Sequence, residues 1–478
     1  MASKQQIGYK CRIAGVLLLL LAKVLLDRPN IDFFLLLQYG IVIDSGSSRS
    51  NVYLYKWPGE KQNETGVVTE IMNCKVAGDG ISEMKVDPQK DAKSWKGFKE
   101  CMDNITKAIP TKKHETTPLF LGATAGMRLL HEKDEQRCNE ILASLTAYLR
   151  SLPFNFHNAS IITGQEEGLY GWVTVNYLMG NFLEVRHWKN TVGSMDLGGA
   201  STQIAFAVQD DLSGPDYLHV KLYGYPYNVY THSFLCYGKN EAYKRVLDKV
   251  ESSDPTYIIN PCYPEGFNTT LKASYIYDTE CTKKPNGYNP HQELFLVGTA
   301  DPDKCGSIVK SIFDFKTCNS SQCSLNGVEQ PPVTGDFMVT HSANRTCLHS
   351  IVSFFFLITG HSNLCFSSFQ LSAKKAWIAE RYLKTYCFAA HYVFTLLADG
   401  YKFDKETWKN INFEREAKNT SIGWSLGYML SMSNMIPSEV KYTPPMTDPV
   451  FAGLVFLFSA LTIITVVFVF IILIRTCY

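Results

Sequence analysis

Two aspartates, each at the end of an apolar run, are the residues of this chain best suited to chemistry. Asp44 follows the run 39–43 and precedes the small-residue turn 45–50, while Asp196 is followed by Gly198 and Gly199. Glycine allows positive φ and has no Cβ, so backbone N–H groups can converge on an anion that a carboxylate faces. Each loop suits a phosphate and its metal ion, although a Gly-rich hairpin alone more often only turns the chain.

A hairpin is predicted to position each aspartate. After the first turn, residues 51–55 alternate like a returning strand, and residues 203–208 follow the second turn in the same way. The two aspartates are 196 − 44 = 152 residues apart. Two similar hairpins at this separation predict two related lobes, each offering a phosphate loop to a shared cleft.

A third stretch, 117–130, has the pattern of a strand, a small-residue turn and a helix. Gly122 and Gly126 flank Thr124 in the turn, and a helix start favours anions. Packing of strand against helix is the alternative interpretation. We interpret Arg128, within this helix, as structural.

The adjacent Glu166 and Glu167 follow an apolar strand and precede a helix predicted to begin at Gly168. Successive residues point in different directions, so only one of the two glutamates can face a given cleft atom. A glutamate held within about 2.6–3.2 Å of water can take its proton. The alternative is a solvated acidic helix start favoured by the helix dipole.

Composition limits the class of protein. The chain has 478 residues and a formal charge of +1. It is long enough for two or more domains and has no general positive field for nucleic acid.

The chain contains two candidate membrane segments. Residues 449–474 are 26 residues without a charge, which predicts a transmembrane helix. Residues 13–26 are a poorer candidate, for which a signal peptide is the alternative. Basic residues beyond both segments predict cytoplasmic tails, 1–12 and 475–478, so the chain between them lies outside or in a lumen.

Sequons and cysteines agree with that placement. Twelve of the fourteen cysteines lie between the two apolar segments, as expected in an oxidising compartment. Metal binding by these cysteines is the alternative, but their scattered spacing has no CxxC pair. The predicted glycosylation sites are Asn63, Asn104, Asn158, Asn268, Asn319, Asn344 and Asn419.

Five ordered motifs together resemble the apyrase regions of the ecto-nucleoside triphosphate diphosphohydrolases. The motifs are 44–48, 121–128, 162–168, 196–201 and 423–428, and 230–238 resembles the cell-surface members. The resemblance covers roughly residues 39–437. The two terminal helices are similar to those of the plasma-membrane branch.

The resemblance implies an α/β, actin-like (ribonuclease-H-like) duplicated fold with a five-stranded sheet in each lobe. Lobe I would comprise residues 38–163 and 417–440, lobe II residues 164–416, with the active site between them. The implied activity is hydrolysis of extracellular ATP, ADP, UTP and UDP to the monophosphate and phosphate, with Ca²⁺ or Mg²⁺. The protein would be a multi-pass cell-membrane enzyme with an extracellular active site, contacting lipid through both helices and binding no nucleic acid. A homo-oligomer held by these helices stays open.

Site roles follow from the motif positions. The resemblance makes Glu167 the base, has Ser201 and Gln203 orient the water, and has Asp44 and Asp196 hold the cation through water, with Trp424 supporting that side. Tyr386 would stack on the nucleobase, with Lys239 as a polar contact. Phosphates would bind Ser47, Ser48, Thr124, Gly198, Gly199 and Ala200. The implied disulfides are Cys74–Cys101, Cys236–Cys281, Cys262–Cys305, Cys318–Cys323 and Cys365–Cys387, leaving Cys138 and Cys347.

One segment departs from the family pattern. Between residues 337 and 364 the expected aromatic stretch, with a tyrosine that sandwiches the base, is replaced. A splice form or gene-model error, a divergent binding loop, and a defect in nucleotide affinity all stay open. The alternative function is therefore a catalytically weak or silent nucleotide-binding membrane glycoprotein of the same fold. A sugar-kinase-like phosphotransferase is disfavoured by the predicted placement outside the cell.

Overall fold

The computed structural model describes most of the predicted ectodomain and the carboxy-terminal helix. The described residues are 37–59, 61–85, 92–182, 187–209, 212–250, 256–318, 322–340, 384–414, 416–417, 420–435 and 448–477. Several predictions lie outside them: the segment 13–26, most of the altered segment, Cys347, Cys365, and the sequons at Asn319, Asn344 and Asn419.

The first sheet contains the first predicted hairpin. Its five strands have the order β3-β2-β1-β4-β5, with β1 parallel to β4, β4 parallel to β5, and β2 antiparallel to β3. The central strand β1 is buried along nearly its whole length, which explains its continuous apolar sequence. The strands are β1 Leu37–Ser45, β2 Ser50–Pro58, β3 Thr69–Lys75, β4 Pro118–Ala123 and β5 Asn155–Ile161.

The second sheet repeats this arrangement around the second predicted hairpin. Its order is β14-β13-β6-β7-β9-β8, with β6 parallel to β13 and antiparallel to β7. It has six strands, so the prediction of five was wrong for this sheet. The extra strand β8 pairs with β9 through a two-residue turn at Tyr223 and Gly224, whose φ values are 51° and 81°, the type of turn that suits a hairpin.

The strands of the second sheet are short except for β7 and β9. They are β6 Gly193–Leu197, β7 Ser201–Val208, β8 Tyr217–Leu222, β9 Tyr225–Leu235, β13 Phe337–Thr340 and β14 Ile411–Glu414. A small sheet of order β10-β12-β11 and a two-stranded ribbon complete the strands: β10 Tyr257–Asn260, β11 Asn268–Lys272, β12 Glu293–Gly298, β15 Glu416–Ala417 and β16 Thr420–Ser421.

Eleven α-helices are described in these ranges. They are α1 Ala92–Ala108, α2 Ala125–Lys133, α3 Glu135–Arg150, α4 Gly164–Met179, α5 Lys239–Lys249, α6 Ala273–Tyr277, α7 Pro302–Ser311, α8 Tyr386–Phe394, α9 Lys405–Trp408, α10 Trp424–Met435 and α11 Asp448–Cys477. The predicted strand, turn and helix of 117–130 are confirmed as β4 and α2.

Two of these helices, α4 and α10, are buried on most sides and pack against each other. One apolar cluster contains residues of both helices together with residues of both large sheets. A Cβ on Gly427 of α10 would lie 2.0 Å from the carbonyl oxygen of Tyr170 in α4. Only glycine permits this approach, which fixes α10 against α4. The α/β class predicted from the sequence is thus confirmed.

Four disulfides are formed among the described cysteines. They are Cys74–Cys101, Cys236–Cys281, Cys262–Cys305 and Cys318–Cys323. Cys387 is also disulfide-bonded, while its predicted partner Cys365 lies outside the described residues, and Cys138 is free and buried. Cys305 and Cys387 lie beside His391, but their disulfides remove the thiolates that a metal would need.

The described sequons have exposed asparagines, as a glycan requires. Asn63, Asn104, Asn158 and Asn268 are all exposed. The helix α11 covers the predicted segment 449–474 and belongs to a compact unit separate from the one containing the sheets. Among the residues that the structure describes, no helix has both the length and the hydropathy needed to cross a membrane.

Candidate active site

A cleft of 370 Å³ opens where the two predicted phosphate loops meet. It is polar and lies within the unit that contains both large sheets. Both hairpins contribute, because β1 and β6 each carry an aspartate at the cleft one residue before the strand ends. Of the predicted site residues, those lining it are Asp44, Ser47, Ser48, Thr124, Glu167, Asp196, Gly198, Gly199, Ala200, Ser201 and Trp424.

The two loops approach each other so closely that glycine is required. A Cβ on Gly199 would lie 2.5 Å from Ser47 Oγ, and one on Gly126 would lie 2.6 Å from Ser47 Cα. Real Cβ contacts of this length do not occur without displacement of the neighbour. The three small-residue turns predicted separately therefore meet around Ser47.

Asp44 and Asp196 are the two cleft carboxylates near the ends of strands β1 and β6. Trp424 Nε1 donates to Asp44 Oδ1 at 3.0 Å, and Thr340 Oγ1 donates to Asp196 Oδ1 at 3.1 Å. Burial raises the pKa of each to about 7, and the negative charge of Glu167 adds to the increase. Three carboxylates thus lie in one site with too little positive charge to keep all of them ionised.

The structure distinguishes the two adjacent glutamates. Helix α4 begins at Gly164, one turn before the predicted start at Gly168, because Thr163 caps it. Glu166 forms the capping box: its N–H donates to Thr163 Oγ1, and its Oε2 accepts from Thr163 N at 2.8 Å. The helix-start interpretation therefore applies to Glu166, while Glu167 is only 8% exposed and lines the cleft.

Glu167 is held at one of its two oxygens. Arg128 Nη2 donates to Oε2 at 2.7 Å, and Gln203 Nε2 donates to the same oxygen at 3.0 Å. In the part of the chain that the structure describes, Oε1 has no hydrogen bond. Burial raises the pKa of Glu167, and the charge and hydrogen bond of Arg128 oppose the increase. Oε1 is therefore the oxygen that can accept a proton.

Ser201 and Gln203 lie directly beside Glu167. Gln203 Nε2 is 2.7 Å from Ser201 Oγ, which Arg128 Nη2 also contacts at 3.2 Å. Gln203 is buried and contacts this network without lining the cleft itself, and its Oε1 has no partner among the described residues. An unpaired buried carbonyl oxygen is a site where a water can bind.

Sequence reasoning missed two residues that contact the carboxylates of the cleft. We interpreted Arg128 as structural, yet it contacts the Glu167 carboxylate and is anchored by Nη1 to the Ile162 carbonyl at 2.9 Å. Thr340 lies in the segment where the family pattern is lost, yet β13 pairs with β6 and brings its hydroxyl to Asp196. The motif containing Arg128 was visible in the sequence, whereas nothing in the sequence indicated Thr340.

Trp424 joins the cleft to the buried helix pair. Its indole donates to Asp44 and packs over β4, where a Cβ on Gly122 would lie 2.3 Å from the ring. Most of α10 is therefore buried core, while its first residue also lines the cleft. Tyr386 begins α8 and Lys239 begins α5, and neither is among the described residues that line the cleft.

The donor set fits a hard divalent cation. Asp44 and Asp196 offer carboxylate oxygens at the cleft, and the negative charge of Glu167 raises the pKa of both, with Asp44 adding to the increase at Asp196. Ca²⁺ and Mg²⁺ prefer oxygen ligands and retain water. A cation between these strands would relieve the repulsion among the three carboxylates.

This fold is shared with a class of enzymes. One example is a solved structure of nucleoside triphosphate hydrolases from Neospora caninum. The match covers 84% of this chain and 93% of the solved chain, with a TM-score of 0.57 and 15% sequence identity. At that identity the likeness shows the fold alone.

Sequence comparison gives the family. Residues 37–445 match the model of the GDA1/CD39 (nucleoside phosphatase) family, and the chain belongs to it. Human ectonucleoside triphosphate diphosphohydrolase 3 is 44% identical over 90% of this chain and 85% of its own length. Ectonucleoside triphosphate diphosphohydrolase 1 from mouse is 40% identical over 89% of this chain and 87% of its own length. Ectonucleoside triphosphate diphosphohydrolase 2 from chicken is 42% identical over 84% of this chain and 84% of its own length. The resemblance drawn from the five motifs is confirmed.

Proposed function

We propose that this chain hydrolyses extracellular nucleoside triphosphates and diphosphates, such as ATP, ADP, UTP and UDP, to the monophosphate and inorganic phosphate. The observation that supports this most is the position of Glu167 in one cleft with Asp44 and Asp196. Family membership and the names of the similar proteins agree with the proposal.

Asp44 and Asp196 would hold Ca²⁺ or Mg²⁺ through bound water. When bound, the cation neutralises phosphate charge and stabilises the charge that develops on the transferred group. Trp424 and Thr340 each donate to one of the two aspartates, so they fix the direction of the carboxylates. The polar cleft also includes Arg49 and Lys75, which add positive charge near the phosphates.

Glu167 would act as the general base. Its Oε1 takes a proton from a water whose oxygen bonds to the terminal phosphorus, while the bond to the bridging oxygen breaks and leaves the shorter nucleotide. Gln203 Oε1 and Ser201 Oγ would orient that water, since both lie in the network around Glu167. Arg128 opposes the increase in the pKa of Glu167 that burial causes, and so favours the ionised form for this step.

The small-residue loops would hold the phosphates. Ser47, Ser48 and Thr124 offer hydroxyls at the cleft wall. The loop of Gly198, Gly199 and Ala200 would offer the backbone N–H groups of Gly199 and Ala200, while Gly198 N donates to the Ser201 carbonyl and closes the loop. Tyr386 as a base-stacking residue, with Lys239 as its polar neighbour, remains part of the proposal.

We further propose the actin-like duplication and the membrane placement predicted from the sequence. The shared strand pattern of the two large sheets supports the duplication, with lobes at 38–163 plus 417–440 and at 164–416. The apolar sequence of 449–474 supports a membrane anchor with the cleft outside the cell. Lipid contact there and assembly of copies through the terminal helices belong to the same proposal.

Phosphate release by intact cells expressing the full chain tests the function. We expect release from ATP and from ADP that stops with a chelator and returns with Ca²⁺ or Mg²⁺. Surface expression without release would favour the silent glycoprotein. Release that continues in excess chelator would contradict the cation site but not the hydrolytic function.

A further inference from the structure

Outside the cleft, strand β9 packs against the first turn of α4, the helix that carries the proposed base. Thr231 Oγ1 donates to the carbonyl of Gln165 at 3.0 Å. A Cβ on Gly164 would lie 2.3 Å from Ser233 Cβ, and one on Gly168 would lie 2.3 Å from Thr231 Oγ1. Gly164 and Gly168, one helical turn apart, thus let α4 contact alternate residues of the strand. The strand therefore fixes how far this turn lies from the sheet.

Asp216 contacts the same turn from the start of β8. Its Oδ1 accepts from Gln165 Nε2 at 3.1 Å and lies 2.9 Å from Nδ1 of His232, while its carbonyl accepts from Thr231 N at 2.8 Å. The side chains of Asp216 and His232 are 19% and 18% exposed. Burial raises the pKa of Asp216, but the adjacent His232 and the hydrogen bond from Gln165 together outweigh it, so the pKa is lowered overall.

We propose that Asp216 is a positioning residue for hydrolysis: by holding Gln165 it fixes the first turn of α4 and so keeps Glu167 in place. Glu167 follows Gln165 by two residues. Gln203 Nε2 contacts Glu167 Oε2 at 3.0 Å and Ser233 Oγ at 2.9 Å, so β9 and the base share a partner. The inference rests on the proposed function, because it takes Glu167 as the base.

The expected effect is on the chemical step. Neither Asp216 nor His232 is among the described residues that line the cleft, so neither is placed to touch the nucleotide. A displacement of a catalytic group by about 1 Å can cost about 10²-fold in rate. Loss of the Asp216 contact should therefore lower kcat and leave KM nearly unchanged.

The first test compares two substitutions of Asp216 in the full chain at the cell surface. Asp216→Leu removes the acceptor for Gln165 and should lower kcat for ATP by about 10- to 100-fold. Asp216→Asn keeps an acceptor oxygen and should recover most of kcat. His219→Ala, on the exposed side of the same hairpin, is the matched control and should leave kcat unchanged.

The second test separates positioning from general damage. In a Glu167→Gln background Asp216→Leu should cause no further loss, because the base through which it acts is gone. A further loss there, equal to that in the natural chain, overturns the proposal. If Asp216→Leu does not reach the surface, Gln165→Leu removes the same hydrogen bond, and a normal kcat in that variant also overturns it.

Failure of the proposed function has a different outcome. Near-normal turnover by Glu167→Gln removes that glutamate as the base, whatever Asp216 does. An inactive Glu167→Gln beside a fully active Asp216→Leu leaves the function intact and contradicts only the positioning role.

Discussion

Arg128 Nη2 lies 2.7 Å from Oε2 of Glu167, and this ion pair is almost completely buried, with side chains 15% and 9% exposed. The pair joins α2, the helix of the strand–turn–helix motif, to α4, the helix that follows β5. It directs Oε2 into the protein and leaves Oε1 for water. The arrangement gives the cleft one oriented glutamate among three carboxylates.

The role of Glu167 predicts a large difference between adjacent glutamates. Glu167→Gln should lower kcat by about 10²–10⁴ because an amide cannot take the proton from water. Glu166→Gln makes the same change one residue earlier, where glutamine still serves the capping box, and should retain kcat. Turnover of ATP by the two variants decides the matter, and equal rates would remove Glu167 as the base.

Arg128→Lys should shift the acid limb of the pH–rate profile upward. Lysine keeps a charge but loses the fork that contacts Glu167, Ser201 and the Ile162 carbonyl together. With the Arg128 contact weakened, burial raises the pKa of Glu167 further, so a smaller fraction is ionised at acidic pH. The profile of kcat/KM between pH 5 and 9 measures the shift, and an unchanged acid limb would contradict the coupling. Arg137→Lys, on the neighbouring helix α3, is the matched control.

Cation affinity should depend on pH around neutrality. Asp44 and Asp196 each have a pKa of about 7 without a cation, and protons compete with the cation below that pH. The dissociation constant for Ca²⁺ should rise by up to about tenfold per carboxylate for each pH unit below 7. Calorimetric titrations at pH 6, 7 and 8 measure this together with the protons released. A constant affinity over that range would place the cation elsewhere.

The same carboxylates predict an unusual stability profile for the cation-free protein. Their folded pKa of about 7 lies above the ordinary value of 3.8, so the folded state binds protons more tightly than the unfolded chain. Their contribution to the free energy of unfolding is present below pH 4 and is lost as pH rises to 7. Adding a cation at pH 7 should therefore raise the melting temperature more than at pH 5. Asp44→Asn should reduce that difference.

Trp424→Phe should weaken cation binding without unfolding the helix pair. The indole N–H that donates to Asp44 is lost, and a hydrogen bond to a charged group is worth about 1.5–3 kcal/mol, or roughly a 10- to 100-fold increase in the cation concentration needed for half-maximal activity. Trp188→Phe, away from the cleft in a 3₁₀ turn, is the control. Equal cation dependence in both variants would contradict the role of Trp424.

The local sequence pattern determined much of the secondary structure of this protein. The two hairpins, the strand–turn–helix after Thr117 and the buried apolar strands follow from short-range periodicity and turn chemistry, and each has its predicted position. The five motifs also determined the family, because their order and spacing are specific.

Tertiary structure alone decided which side chains meet. Arg128 and Glu167 are separated by 39 residues, and Thr340 and Asp196 by 144, and no local pattern encodes contacts over such distances. The family resemblance implies five strands and does not include the edge strand β8, although Leu218, Val220 and Leu222 alternate with polar residues along it. Only the pairing of β8 with β9 revealed this sixth strand. The choice between Glu166 and Glu167 likewise follows from where α4 begins, since the cap at Thr163 turns the first glutamate to the helix end and the second into the cleft.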